Sequence, residues 1–140
     1  MKRTAKAEWN GTGKEGSGTM TSHSKVINNV PYSFRTRFED VEGTSPEELI
    51  AAAHAGCFSM KLSFVLGEAG FTPETIHTST TITLEDGAIT GSHLVVKAKV
   101  PGISPEKFQE CAEDARANCP VSKALNVNIT MEASLSGSRL

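Results

Sequence analysis

Aromatic side chains are scarce in this chain of 140 residues, with one tryptophan, one tyrosine and six phenylalanines. So few stacking platforms argue against a large aromatic-lined surface for nucleic acid. Neither sign of charge dominates, because 14 lysines and arginines stand against 16 acidic residues for a formal net charge of −2. Positive charges are scattered and form no long block, so nothing draws the chain to phosphate or to an anionic membrane. No apolar run reaches the roughly 20 residues of a membrane span. The basic start Met1-Lys2-Arg3 has no hydrophobic stretch after it, and no signal peptide is expected. Three cysteines are too few for a disulfide framework. They also lack C-x2-C spacing, with only His54 near one of them, so no metal centre is expected. A reducing cytoplasm is the expected compartment, with any disulfide transient and catalytic.

The length suits one domain, 1–140, burying roughly 65–70% of the surface of the unfolded chain. Lys6 to Trp9 reads as a short strand, and Thr19 to Ser22 as its return. The glycines between Gly11 and Gly18 match neither the phosphate-loop pattern nor its following helix, and predict a hairpin or a mobile loop. Tyr32 to Phe38 alternates as a strand would, which puts Arg35 and Arg37 on one strand face. Ser45-Pro46-Glu47-Glu48 is a helix start, with Ser45 as cap, Pro46 in the first turn and Glu48 closing a capping box. The helix is expected to run to about Glu68 and stop at Gly70.

The period then changes to two. Ile76, Thr78, Thr80, Ile82 and Leu84 share a face, Asp86-Gly87 turns the chain, and Leu94, Val96, Ala98 and Val100 continue the alternation. A second helix begins near Ser104-Pro105, with Phe108, Cys111, Ala112 and Ala115 as its apolar stripe, and breaks at Asn118-Cys119-Pro120. Val127 to Leu135 supplies a last amphipathic strand. The predicted fold class is α+β, antiparallel sheet with helices packed on one side. A long apolar helix is hard to cover in so short a chain, so a homodimer is expected.

Cys57 lies within the apolar run from Leu49 to Met60, and Cys119 at the break before Pro120. Each is either a small buried side chain or half of a thiol pair that only the fold brings together. A free thiol needs a nearby cation or oriented donors to ionise near neutrality. Arg37 is the candidate cation, with Glu47 holding its planar fork by a bidentate pair, although Arg35 serves equally on local grounds. Within one helix Glu47 and Cys57 stand about 15 Å apart along the axis, so Glu47 would reach Cys57 only from another chain. His54 lies one turn before Cys57 and reads as a core histidine or a base, while Cys111 sits on the apolar stripe as a structural residue.

The pattern resembles the OsmC/Ohr family of thiol-dependent hydroperoxide reductases. The resemblance runs from Ala7-Glu8-Trp9 through Pro31 to Phe38, the stretch Gly43 to Met60, and Cys119-Pro120-Val121-Ser122. It implies an intertwined homodimer whose strands enclose long central helices. It also implies Cys57 as the peroxide-attacking thiol, Cys119 as the resolving thiol, and Arg37 with Glu47 as the site's ion pair. The implied substrate is an organic hydroperoxide and the implied reductant a dithiol, of lipoyl type more than thioredoxin, with no metal, haem or flavin. The rivals are a nonenzymatic small-molecule-binding or structural stress protein with buried cysteines and, more weakly, a metal-binding protein.

Overall fold

Asn10 and Ser17 close a glycine-rich turn that folds β1 (Ala5–Asn10) back onto β2 (Ser17–Ser22) as an antiparallel pair, as the glycines predict. The computed structural model describes residues 1–39 and 41–136, grouped into two compact units, Met1–Leu49 and Ile50–Leu140. In the first unit β3 (Val30–Tyr32) adds antiparallel to β2, giving the order β1-β2-β3. Trp9 and Tyr32 pack over Gly18 with ring centroids 5.4 Å apart. A Cβ on Gly18 would lie 2.5 Å from the Trp9 ring, so only glycine lets the aromatic pair close.

The predicted strand from Tyr32 to Phe38 is not a strand. After Tyr32 the chain turns into α1 (Phe34–Phe38), capped by Ser33. The Ser33 hydroxyl accepts the Thr36 N–H at 3.4 Å, and the Thr36 hydroxyl accepts the Ser33 N–H at 2.8 Å. This reciprocal cap satisfies two otherwise orphaned donors, and it outweighs the alternating pattern. Arg35 and Arg37 therefore sit on one short helix rather than on a strand face, in its last turn, where cations are favoured.

α2 (Pro46–Glu68) begins in the first unit and continues through the second. The Ser45 hydroxyl accepts the Glu48 N–H at 3.1 Å, as expected of the cap. The Glu48 carboxylate accepts from the Thr44 hydroxyl at 2.8 Å, so the predicted capping box is replaced by that bond. At 23 residues α2 is long and apolar enough by length and composition to cross a membrane, although no unbroken apolar run in it reaches that length. Phe58, Leu62 and Leu66 of α2 are nevertheless fully buried within the second unit.

There β4 (Thr75–Glu85) and β5 (Ala88–Lys99) form an antiparallel hairpin through Asp86 and Gly87, both at positive φ. α3 (Pro105–Asn118) starts at a Ser104 cap, and α4 (Pro120–Ala124) follows directly with Cys119 as its cap. β6 (Asn128–Leu135) then pairs with β5 in parallel, in the order β4-β5-β6. The expected all-antiparallel sheet is corrected to a mixed one. A helical crossover returns the chain to the end from which β5 started, so the next strand must run the same way. Leu94, Val96 and Ala98 of β5, with Val100 just beyond its end, meet Phe108, Ala112 and Ala115 of α3 in one buried cluster. Burying each of the larger side chains contributes roughly 1.5–3 kcal/mol.

Candidate active site

Cys57 and Cys119 are brought to one place. Cys119 ends α3 and caps α4, fully buried, with its sulfur accepting the Ser122 N–H at 3.4 Å. Cys57 faces this corner from α2, partly exposed, and its sulfur accepts the Val121 N–H at 3.5 Å. Burial pushes the Cys57 thiol pKa up; the Val121 N–H pulls it down, the Cys119 thiol raises it by hydrogen bonding and charge, and Lys61 lowers it. Both are free thiols, and they converge on the start of α4, which Cys119 caps and whose Val121 N–H the Cys57 sulfur accepts. Cys111, also free, is buried on α3, where desolvation raises its pKa.

Arg37 and Glu47 form the bidentate pair expected of them, within the first unit. Arg37 Nε lies 3.2 and 3.0 Å from the two Glu47 carboxylate oxygens, and Nη2 lies 2.8 Å from Oε2. Glu47 is only 8% exposed, and its buried charge is matched by the guanidinium fork. Arg35 instead pairs with Glu39 at 3.3 Å on the exposed side, which separates the two candidate arginines. Arg37 also lines a recess of about 330 Å³ with Trp9, Tyr32, Phe34 and Phe38. A cation at the rim of an aromatic recess suits a substrate with an apolar body and a polar, charge-developing end.

His54 is fully buried, with both ring nitrogens satisfied. Its Nδ1 is 2.7 Å from Ser92 Oγ on β5, and its Nε2 is 2.7 Å from Ser122 Oγ on α4. Ser122 Oγ lies in turn 3.2 Å from Cys119 Sγ. Burial lowers the His54 pKa and favours the neutral ring. Neither serine was singled out from sequence. The available signal was a serine in the inward register of β5, one step before Leu94, Val96 and Ala98, and another in the first turn after Cys119-Pro120. Among the described residues no cluster of three histidine, cysteine or acidic side chains is arranged to hold a metal ion.

The OsmC-like protein family matches residues 39–134. The chain belongs to the OsmC family. It is 47% identical over 137 residues to a protein named Peroxiredoxin OsmC from Escherichia coli (strain K12), covering 95% of this chain and 96% of that one. It is 30% identical over 122 residues to the organic hydroperoxide resistance protein OhrB of Bacillus subtilis, covering 84% and 88%. The crystal structure of OhrB superposes with a TM-score of 0.69 over 94% of this chain and 98% of that one. The crystal structure of an OsmC-like protein from Mycoplasma pneumoniae, 14% identical, gives a TM-score of 0.74 over 96% and 97%, a likeness of fold alone. The α+β fold of this chain is thus that of OsmC-like structures.

Proposed function

We propose that the protein is a thiol peroxidase that reduces organic hydroperoxides, with the whole chain acting as one functional domain. The observation that carries this reading is the Cys57–Cys119 pair, two free thiols that converge on the start of α4, one as its cap and the other accepting the Val121 N–H. The names of the relatives, a peroxiredoxin and a hydroperoxide resistance protein, support the same chemistry. Cys57 thiolate attacks the outer peroxide oxygen, the O–O bond breaks, and the alkoxide takes a proton and leaves as alcohol. Cys57 is left as a sulfenic acid. Cys119 attacks that sulfur, the S–O bond breaks, and a disulfide forms with release of water. A dithiol, of lipoyl type, then reduces the disulfide by exchange and is itself oxidised.

Burial works against the first step, because it raises the pKa of the attacking thiol. The Arg37–Glu47 pair is the proposed remedy, a fixed cation to stabilise the thiolate and the departing oxygen. We assign this pair to the Cys57 of a second protomer, because nine residues of helix separate Glu47 from its own Cys57. The line of exposed residues along α2, Ala52, Ala53, Gly56, Met60 and Phe64, is the proposed dimer contact, with the strands enclosing the paired helices. Small residues there allow close approach of a second helix, and Met60 and Phe64, more than 60% exposed, are costly to leave in water. The proposed setting is the cytoplasm.

The raised thiol pKa also fits a nonenzymatic protein whose cysteines are merely buried, and one pair of variants separates the two. Cys57→Ser should abolish peroxide consumption, whereas Cys119→Ser should retain one oxidation per chain and fail to recycle without added thiol. Wild-type steady-state turnover by Cys57→Ser would refute the peroxidase reading.

A further inference from the structure

The buried serine–histidine–serine line ends on the resolving sulfur, and one tautomer of its imidazole turns it into a proton relay. A hydroxyl has one proton to donate, and a neutral imidazole has one N–H and one lone pair. The Cys119 thiol donates to Ser122 Oγ across 3.2 Å. In the tautomer that carries its N–H on Nδ1, facing Ser92 Oγ at 2.7 Å, Nε2 accepts the Ser122 proton at 2.7 Å, and this is the tautomer the relay uses. Every group in this line except Cys119 is a hydroxyl or an imidazole, and Cys119, Ser92 and His54 are each no more than 1% exposed. Water has little access to take a proton from this sulfur, so the relay is the available route. A histidine serving only to staple α2, β5 and α4 would be satisfied by any polar partner. Here one partner is itself bonded to a reacting sulfur.

We propose that His54, acting through Ser122, is the positioning residue of the disulfide-forming step, holding Cys119 in place and accepting its proton as it attacks. The inference rests on the peroxidase reading above and deepens it. The Cys119 proton passes to Ser122 as the Ser122 proton passes to Nε2, and the thiolate attacks the Cys57 sulfur. The S–O bond breaks as the S–S bond forms, so Cys119 sulfur is oxidised and Cys57 sulfur reduced. The leaving hydroxide takes up one proton, His54 returns one, and the products are disulfide and water. Burial keeps the resting imidazole neutral, with a lone pair on Nε2, and disfavours the protonated ring, so the proton is held only briefly and passes on to the leaving hydroxide.

Ser122→Ala removes the hydroxyl and keeps the backbone N–H that the Cys119 sulfur accepts at 3.4 Å. Single-turnover oxidation with cumene hydroperoxide, quenched in time, resolves two rates: sulfenic acid formation, trapped with dimedone, and disulfide formation, read by non-reducing intact mass. The ratio of the second rate to the first should fall about tenfold in Ser122→Ala, the weight of one hydrogen bond to a charged group. Ser122→Thr, which restores a hydroxyl, should restore the ratio. His54→Gln, which keeps hydrogen bonds but lacks a basic nitrogen, should lower it similarly, so the test survives if either variant folds poorly. A purely structural role would lower Tm and leave the ratio alone. An unchanged ratio in these variants would overturn the inference by itself. Failure of wild-type protein to form the Cys57–Cys119 disulfide would overturn the peroxidase reading as well.

Discussion

Arg37 is held by three contacts to a carboxylate that is itself nearly buried, so its guanidinium is fixed in direction as well as in charge. In the proposed dimer its task is to offset the burial that raises the Cys57 thiol. Arg37→Ala should therefore raise the thiol pKa and slow peroxide attack about tenfold or more, since a cation in contact moves a neighbouring pKa by roughly 1–3. Thiolate absorbance followed against pH, with stopped-flow oxidation rates, checks both parts. A Cys57 titration unaltered by the substitution would remove Arg37 from the mechanism. At this scale the sequence was informative about which residues carry charge and sulfur. It could not separate Arg35 from Arg37, because that choice depends on which guanidinium meets Glu47 across a loop. It also missed Ser92 and Ser122, because serine has no distinctive spacing, and only pairing with a buried imidazole makes either one notable.

Elements with strong local signals were legible. α2, the β4–β5 hairpin and α3 lie where caps, turn residues and periodicity put them. The segment after Tyr32 was misread because five residues are too few to show a helical period, while a two-residue alternation is easily imitated. The parallel pairing of β5 with β6 was missed because periodicity says which face is buried and nothing about strand direction. His54 ties three of these elements together, α2, β5 and α4, and its titration should be visible in stability. Its pKa is lowered in the folded state. Above about pH 6.5, the ordinary histidine value, both folded and unfolded forms are neutral and His54 adds no pH dependence. Below that value the unfolded chain takes up a proton that the folded ring resists, so the unfolded state binds more protons and stability falls as pH falls. Urea unfolding between about pH 7 and pH 5 should show this loss, and His54→Gln should lack that portion of it. Equal slopes in the two proteins would assign the acid sensitivity to other groups.

For the whole molecule, the family and its α+β fold were within reach of the sequence, since long motifs spread along the chain carry the resemblance. The proposed pairing of subunits rests on an argument from an uncovered helix. Along α2 the exposed Met60 and Phe64 make that argument specific. Sedimentation should find wild-type protein at twice the 14.9 kDa chain mass, and Phe64→Glu should shift it toward the single chain and reduce peroxidase activity. A wild-type protein that sediments as a 14.9 kDa monomer and still turns over peroxide would require the Arg37 assignment to be redrawn within one chain. The central claim concerns sulfur. Its most direct test treats reduced protein with one equivalent of cumene hydroperoxide and maps thiols and bridges by non-reducing mass spectrometry. The account expects two thiols lost together, one bridge joining Cys57 to Cys119 within the same chain, and Cys111 still free. Retention of all three thiols, or a bridge made through Cys111 instead, would contradict it.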